Sequence, residues 1–144
     1  VKGDSIYTLS DKASDEQTAL LADRENRADL IAGMDLDIDD EQVATILADL
    51  AVRDTMNQSK FFASQLVVSF ERDRVKLLEN PHRSAGFAVL KAPDVPSVLV
   101  ELGFLSNRRE AEQLSSPSYR AGIARALARG GDAYFDKIRT QNRS

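Results

Sequence analysis

Cysteine is absent from the 144 residues, histidine occurs once, and no apolar run approaches the roughly 18 residues that a membrane-crossing helix needs. The first absence excludes a disulfide framework and any thiolate metal site, and leaves the redox compartment open. Basic residues are not in excess: 19 Lys and Arg stand against 23 Asp and Glu, for a net charge of -4 and a pI near 5.0. That balance argues against a nucleic-acid or polybasic membrane role. Internal repeats and low-complexity segments are also lacking. The chain opens Val1-Lys2-Gly3, with neither methionine nor an apolar signal segment, and so reads as a piece of a longer product. What is there is 42% hydrophobic and 29% charged, an ordinary balance for one globular domain with a sizeable core.

Strand-like and helix-like patterns alternate along the chain. Ser5 to Leu9 alternates polar and apolar residues around Tyr7 and reads as a strand ended by Ser10-Asp11-Lys12. Ser14 with Gln17 three residues on is a capping-box pattern, opening a helix to about Ala32 that Gly33 stops. From Met34 to Glu41 acids alternate with apolar residues. Asp39 or Asp40 then caps a short amphipathic helix with Val43, Ile46, Leu47 and Leu50 on one face. A longer helix is expected from Arg53 to about Leu78. It turns Met56, Ala63, Leu66, Val67, Phe70 and Leu77 or Leu78 inward, and Lys60, Glu71, Arg72 and Lys76 outward.

Asn80-Pro81 ends that helix, and Gly86 to Lys91 and Ser97 to Val100 read as strands too close in sequence for a helical crossover. Asn107 with Glu110 caps a short helix to about Leu114. Ser116-Pro117 opens the last helix, whose inner face carries Tyr119, Ile123, Ala126, Leu127, Tyr134 and Ile138 despite the weakening pair Gly130-Gly131. Tyr7, Phe87, Phe104 and Tyr134 sit in apolar contexts and read as core. The fold class is α/β, a layered sheet with packed helices.

Glu101 stands out from this pattern. It ends the apolar run Ser97 to Val100, which reads as a strand buried on both faces, and it precedes the turn Leu102-Gly103-Phe104. A carboxylate buried without a partner costs several kcal/mol, on the order of 2–7 for a neutral polar group and more for a charge. Glu101 should therefore meet a cation, a metal-bound water or a set of donors. Two readings are open: a catalytic carboxylate at the carboxyl end of a strand, where α/β proteins place reactive groups, or half of a structural ion pair. Arg83 could hold a substrate carboxylate or pair with an acid, and the structural pair is favoured. His82 reads as a surface or structural imidazole. Asn107 and Glu110 are sufficiently explained as caps.

The run Val95-Pro-Ser-Val-Leu-Val-Glu-Leu-Gly-Phe-Leu-Ser-Asn107, preceded by Ala85-Gly-Phe-Ala-Val-Leu-Lys-Ala-Pro-Asp94 and followed by a helix ending Ala133-Tyr-Phe-Asp-Lys137, resembles the C-terminal half of zinc-dependent N-acetylmuramoyl-L-alanine amidases of the type-3 family. The resemblance runs from Ile6 to Lys137 and implies a partial amidase domain missing its N-terminal strands. Such enzymes cut the amide between N-acetylmuramic acid and the stem-peptide L-alanine of peptidoglycan. It implies for Glu101 the part of general base and acid beside a Zn2+-bound water. The family's zinc ligands, two histidines and a glutamate, fall in motifs upstream of Val1, so no metal ligand is assigned in this chain and the piece alone is expected to be inactive. One histidine without cysteine does not make a closed zinc site.

The segment 34–52 is similar to an insertion of cell-division amidases from Gram-negative bacteria. The likeness implies a periplasmic protein acting in cell-wall remodelling and daughter-cell separation, with an autoinhibitory helix that a LytM-type activator displaces. Glu41 is the candidate to reach the metal in place of substrate, with Asp35, Asp37, Asp39 and Asp40 competing, and Val43, Ile46, Leu47 and Leu50 form the candidate regulatory face. The alternative, from another class, is a non-catalytic module that docks on a partner protein through the same helix. Without the resemblance, an ordinary solvated helix suffices for this segment.

Overall fold

In the computed structural model, which describes residues 3–31, 50–92, 94–103 and 106–142, strand β1 (Asp4–Leu9) buries all six of its residues. It is the middle strand of three, flanked by β2 (Leu77–Ala85) and β3 (Leu99–Glu101). A strand covered on both faces is buried continuously, whatever its sequence alternation suggests. Ser5 and Thr8 are accordingly as deeply buried as Ile6 and Tyr7. The Asp4 N–H donates to the Lys76 carbonyl at 2.8 Å, and the Ser10 N–H donates to the Ala85 carbonyl at 2.9 Å. β1 and β2 thus run in the same direction, which requires a crossover. Helices α1 (Glu16–Ile31) and α2 (Leu50–Arg72) lie in that connection. After β3 come α3 (Arg108–Leu114) and α4 (Pro117–Asn142), completing the expected α/β arrangement.

The chain divides into two compact units. The first comprises Val1–Ile6, Phe61–His82 and Val100–Ser144. Phe70, Ile123 and Ala126 are buried at its centre, with Val75, Leu77, Val100, Leu102 and Leu127 packed against them. Full burial of Phe70 or Ile123 contributes roughly 1.5–3 kcal/mol each. Two contacts bring α2 and α4 close together: the Ser69 hydroxyl donates to the Ala126 carbonyl at 2.6 Å, and a Cβ placed on Gly130 would come within 2.7 Å of Leu66 Cδ2 and 3.1 Å of Leu66 Cα. Gly130 is therefore more than a weak helix former, because its missing side chain is what lets the helices approach.

The second unit comprises Tyr7–Lys60 and Arg83–Leu99. Tyr7, Leu9, Ala22, Ala85, Phe87 and Leu90 form its core, with the Tyr7 and Phe87 ring centroids 5.2 Å apart. Asp15, not Ser14, caps α1: its carboxylate accepts the Thr18 N–H and the Thr18 hydroxyl, both at 2.7 Å. Ser14 is spent on Ser84, whose N–H its hydroxyl accepts at 3.0 Å. Burial pushes the Asp15 carboxyl up, but the bonds from Thr18 and Ser14 and the charge of Arg83 outweigh it and hold it below its ordinary range.

Three expectations need correction. The long helix ends at Arg72, not near Leu78. Arg74 takes the left-handed conformation at φ 58, the Val75 N–H donates to the Phe70 carbonyl at 2.9 Å and the Arg74 N–H to the Glu71 carbonyl at 3.1 Å. This is the Schellman closure usually made with glycine, and an arginine there gave no signal. Leu77 to Ala85 is then a strand. It tolerates Pro81, which has no N–H to donate, and Asn80 at φ 50 because it lies at a sheet edge.

Gly86 to Lys91 is not a strand, and Ala88–Leu90 forms a 3-10 turn. The Asn26 amide on α1 holds it, donating to the Gly86 carbonyl at 3.0 Å and accepting the Ala88 N–H at 2.9 Å. Finally, the last strand covers Leu99–Glu101 and is half-buried throughout, not buried on both faces. The caps at Asn107 and Ser116-Pro117 stand as expected.

The two adjacent glycines of α4 should respond oppositely to alanine. Gly130→Ala should cost about 1–3 kcal/mol through overpacking against Leu66. Gly131→Ala, with nothing within 4 Å of its Cβ position, should gain roughly 0.5–1 kcal/mol from helix propensity. Urea unfolding of the two variants checks the pair, and equal effects would contradict the close approach.

Candidate functional site

Glu101 closes β3 at the point the sequence motif suggests, and Gly103 turns the chain two residues later at φ 81. What surrounds it is unexpected: Asp4, the first residue of β1, feels the charges of both Glu110 and Glu101. Asp4 is 2% exposed and Glu110 8%. The Asp4 carboxyl is pushed up to about 7, first by burial, then by the negative charge of Glu110 and of Glu101. Its Oδ2 has no hydrogen-bond partner among the described residues.

The Glu110 carboxylate accepts the N–H of Gly3, while its backbone N–H donates to Asn107 Oδ1 at 3.1 Å. Asp4 and Glu110 line a cavity of about 310 Å³ with Arg74, Lys76, Arg109 and Tyr119 around them. The Tyr119 hydroxyl is itself pushed up, by burial first and then by Asp4 and Glu110. Of the charged lining residues, Asp4 and Glu110 are acidic and Arg74, Lys76 and Arg109 are basic.

Glu101, the candidate proton carrier, lies in the first unit with Asp4 and Glu110. Arg83 and His82 are half-buried in β2. Arg83 belongs to the second unit, where its charge acts on Asp15. Glu41, Val43, Ile46 and Leu47 lie outside the described residues, as do Phe104 and the acids from Asp35 to Asp40, and Leu50 is the first residue of α2. Sequence reasoning missed Asp4 altogether and took Glu110 only as a cap. The available signal was an acid at the start of a strand whose remaining residues read as core.

The described residues do not fit a zinc site. Among those described, no group of three or more His, Asp or Glu side chains could hold a metal ion. The acidic cluster supplies no imidazole, the donor zinc favours when cysteine is lacking.

Set beside known proteins, the chain matches the family described as N-acetylmuramoyl-L-alanine amidase over residues 2–131. The N-acetylmuramoyl-L-alanine amidase AmiA of Escherichia coli is 37% identical over 134 residues, which is 92% of this chain and 46% of that protein. AmiC of Escherichia coli is 34% identical over 138 residues, 92% of this chain and 32% of the relative. AmiC of Neisseria meningitidis is 32% identical over 140 residues, 94% and 32% respectively. The chain therefore spans about half the length of AmiA and about a third of each AmiC.

The raised Asp4 carboxyl sets a sign for stability. Between pH 4 and 7 the folded chain holds a proton that the unfolded chain gives up. The contribution is complete below about pH 4 and is lost as pH rises through about 7. A shift from 3.8 to about 7 corresponds to a span on the order of 4 kcal/mol. Asp4→Asn should accordingly raise the melting temperature more at pH 8 than at pH 4.5. An equal change at both pH values in parallel thermal melts would contradict the burial of Asp4 among acids.

Proposed function

We propose, since the chain belongs to the N-acetylmuramoyl-L-alanine amidase family, that the protein hydrolyses the amide between N-acetylmuramic acid and L-alanine in peptidoglycan, with Glu101 as the proton carrier. The observation that carries the assignment of Glu101 is its place. It ends an apolar strand before a left-handed glycine turn, within a family match that covers 130 of the 144 residues (2–131). Hydrolysis of an amide needs a base to take a proton from the attacking water and an acid to hand one to the departing nitrogen, and one carboxylate can do both in turn. Zinc enters the proposal as a group held by residues other than those described.

The reading extends to regulation. The segment 34–52, with its alternating acids and the apolar spacing Val43, Ile46, Leu47, Leu50, is proposed as a helix that blocks the site until a LytM-type activator draws it away. Glu41 is the carboxylate offered to the metal. The protein would then act in the periplasm on the cell wall during daughter-cell separation. The support is the sequence pattern and the similarity to AmiA and AmiC.

In the full-length protein Glu101→Gln should reduce release of stem peptide from purified peptidoglycan by about 10²–10⁴-fold, the usual worth of a general acid-base group, while zinc content stays the same. Activity within two-fold of wild type would refute the role given to Glu101. Deleting 34–52 should raise basal hydrolysis in the absence of activator. Unchanged hydrolysis together with loss of partner binding would favour a docking helix instead.

A further inference from the structure

Glu110 does more than the cap at Asn107 requires. Burying a carboxylate to 8% exposure is costly unless donors compensate, and a helix start alone does not demand it, since Asn107 already accepts the Glu110 N–H. The carboxylate instead reaches Gly3, which immediately precedes Asp4, and accepts its N–H. On its other side it lies against Gly103, two residues beyond Glu101. A Cβ there would stand 3.1 Å from Glu110 Cδ and 3.2 Å from Oε2.

Both glycines hold left-handed backbone, at φ 123 and φ 81. Gly3 is also closed in by Leu77 and Leu78, with backbone atoms 2.7 and 2.8 Å from its Cβ position. One carboxylate is therefore clasped between the turn that follows Glu101 and the residue that opens the strand carrying Asp4. Two neighbouring strands, β1 and β3, are tied at the ends where their acids lie.

We propose that Glu110 is a positioning residue: by joining the Gly103 turn to Gly3 it fixes the direction of Glu101 and its spacing from Asp4. The inference rests on the reading of Glu101 as proton carrier. It also has an electrostatic side, because the charge of Glu110 acts on Asp4, and removing that charge makes Asp4 easier to ionise.

The test is made in the full-length enzyme with Glu110→Ala, Glu110→Gln and Glu101→Gln side by side. Glu110→Ala should lower kcat by about 10²-fold per folded molecule with KM within about two-fold, as expected for a reacting group displaced by an ångström or so. Glu110→Gln keeps an acceptor for the Gly3 N–H and nearly the same volume. It should restore most of kcat, and the Asp4 carboxyl should titrate at lower pH than in wild type. A Glu110→Ala enzyme with wild-type kcat and pH profile would overturn the proposal. If alanine prevents folding, an Asp4 carboxyl that titrates in Glu110→Gln as it does in wild type would do so. An active Glu101→Gln enzyme would bring down the reading of Glu101 and the positioning role with it, whereas an inert one beside wild-type-like Glu110 variants would overturn the positioning role alone.

Discussion

Complete burial of β1 is the constraint from which the rest follows. A central strand whose six residues are all inaccessible must be covered above and below and paired on both edges. The edge strands β2 and β3 supply the pairing. In each unit the strand residues feed a separate core, Tyr7 and Leu9 with Phe87 in one and Leu77 and Val100 with Phe70 and Ile123 in the other. The apolar part of that strand stabilises the fold. Its first residue does not, because Asp4 is carried into the interior with it.

The acid at the head of β1 is where folding and chemistry meet. Asp4 is taken out of water where the charges of both Glu110 and Glu101 act on it, so its ionised form is unfavourable. A proton is retained there near neutral pH. Such a carboxyl is a poor way to stabilise a protein and a good way to keep a proton available. Arg74, Lys76 and Arg109 line the same cavity.

The fold class, the central strand, the inner faces of α2 and α4, the caps at Asn107 and Pro117 and the place of Glu101 before a glycine turn were legible in the sequence, because each rests on local periodicity or on a residue of strong conformational preference. The failures share the opposite character. Arg74 adopts a backbone conformation that its side chain does not advertise, so the end of α2 was read six residues late and β2 was absorbed into the helix. The strand-like run Gly86 to Lys91 is bent into a 3-10 turn by the amide of Asn26, 60 residues away in sequence. The link from Glu110 to Gly3 spans 107 residues. A capping motif accounts for the Glu110 backbone without showing where its carboxylate goes. Partners so distant in sequence leave no periodic trace.

The chemistry at this end of the sheet depends on the burial of Asp4 beside other acids, and carboxyl ¹³C NMR titration of Asp4, Glu101 and Glu110 in the folded protein tests that burial most directly. It predicts that Asp4 titrates near pH 7, with inflections from its neighbours visible in the same curve. An Asp4 carboxyl titrating near pH 4, with no response to Glu101 or Glu110, would contradict it.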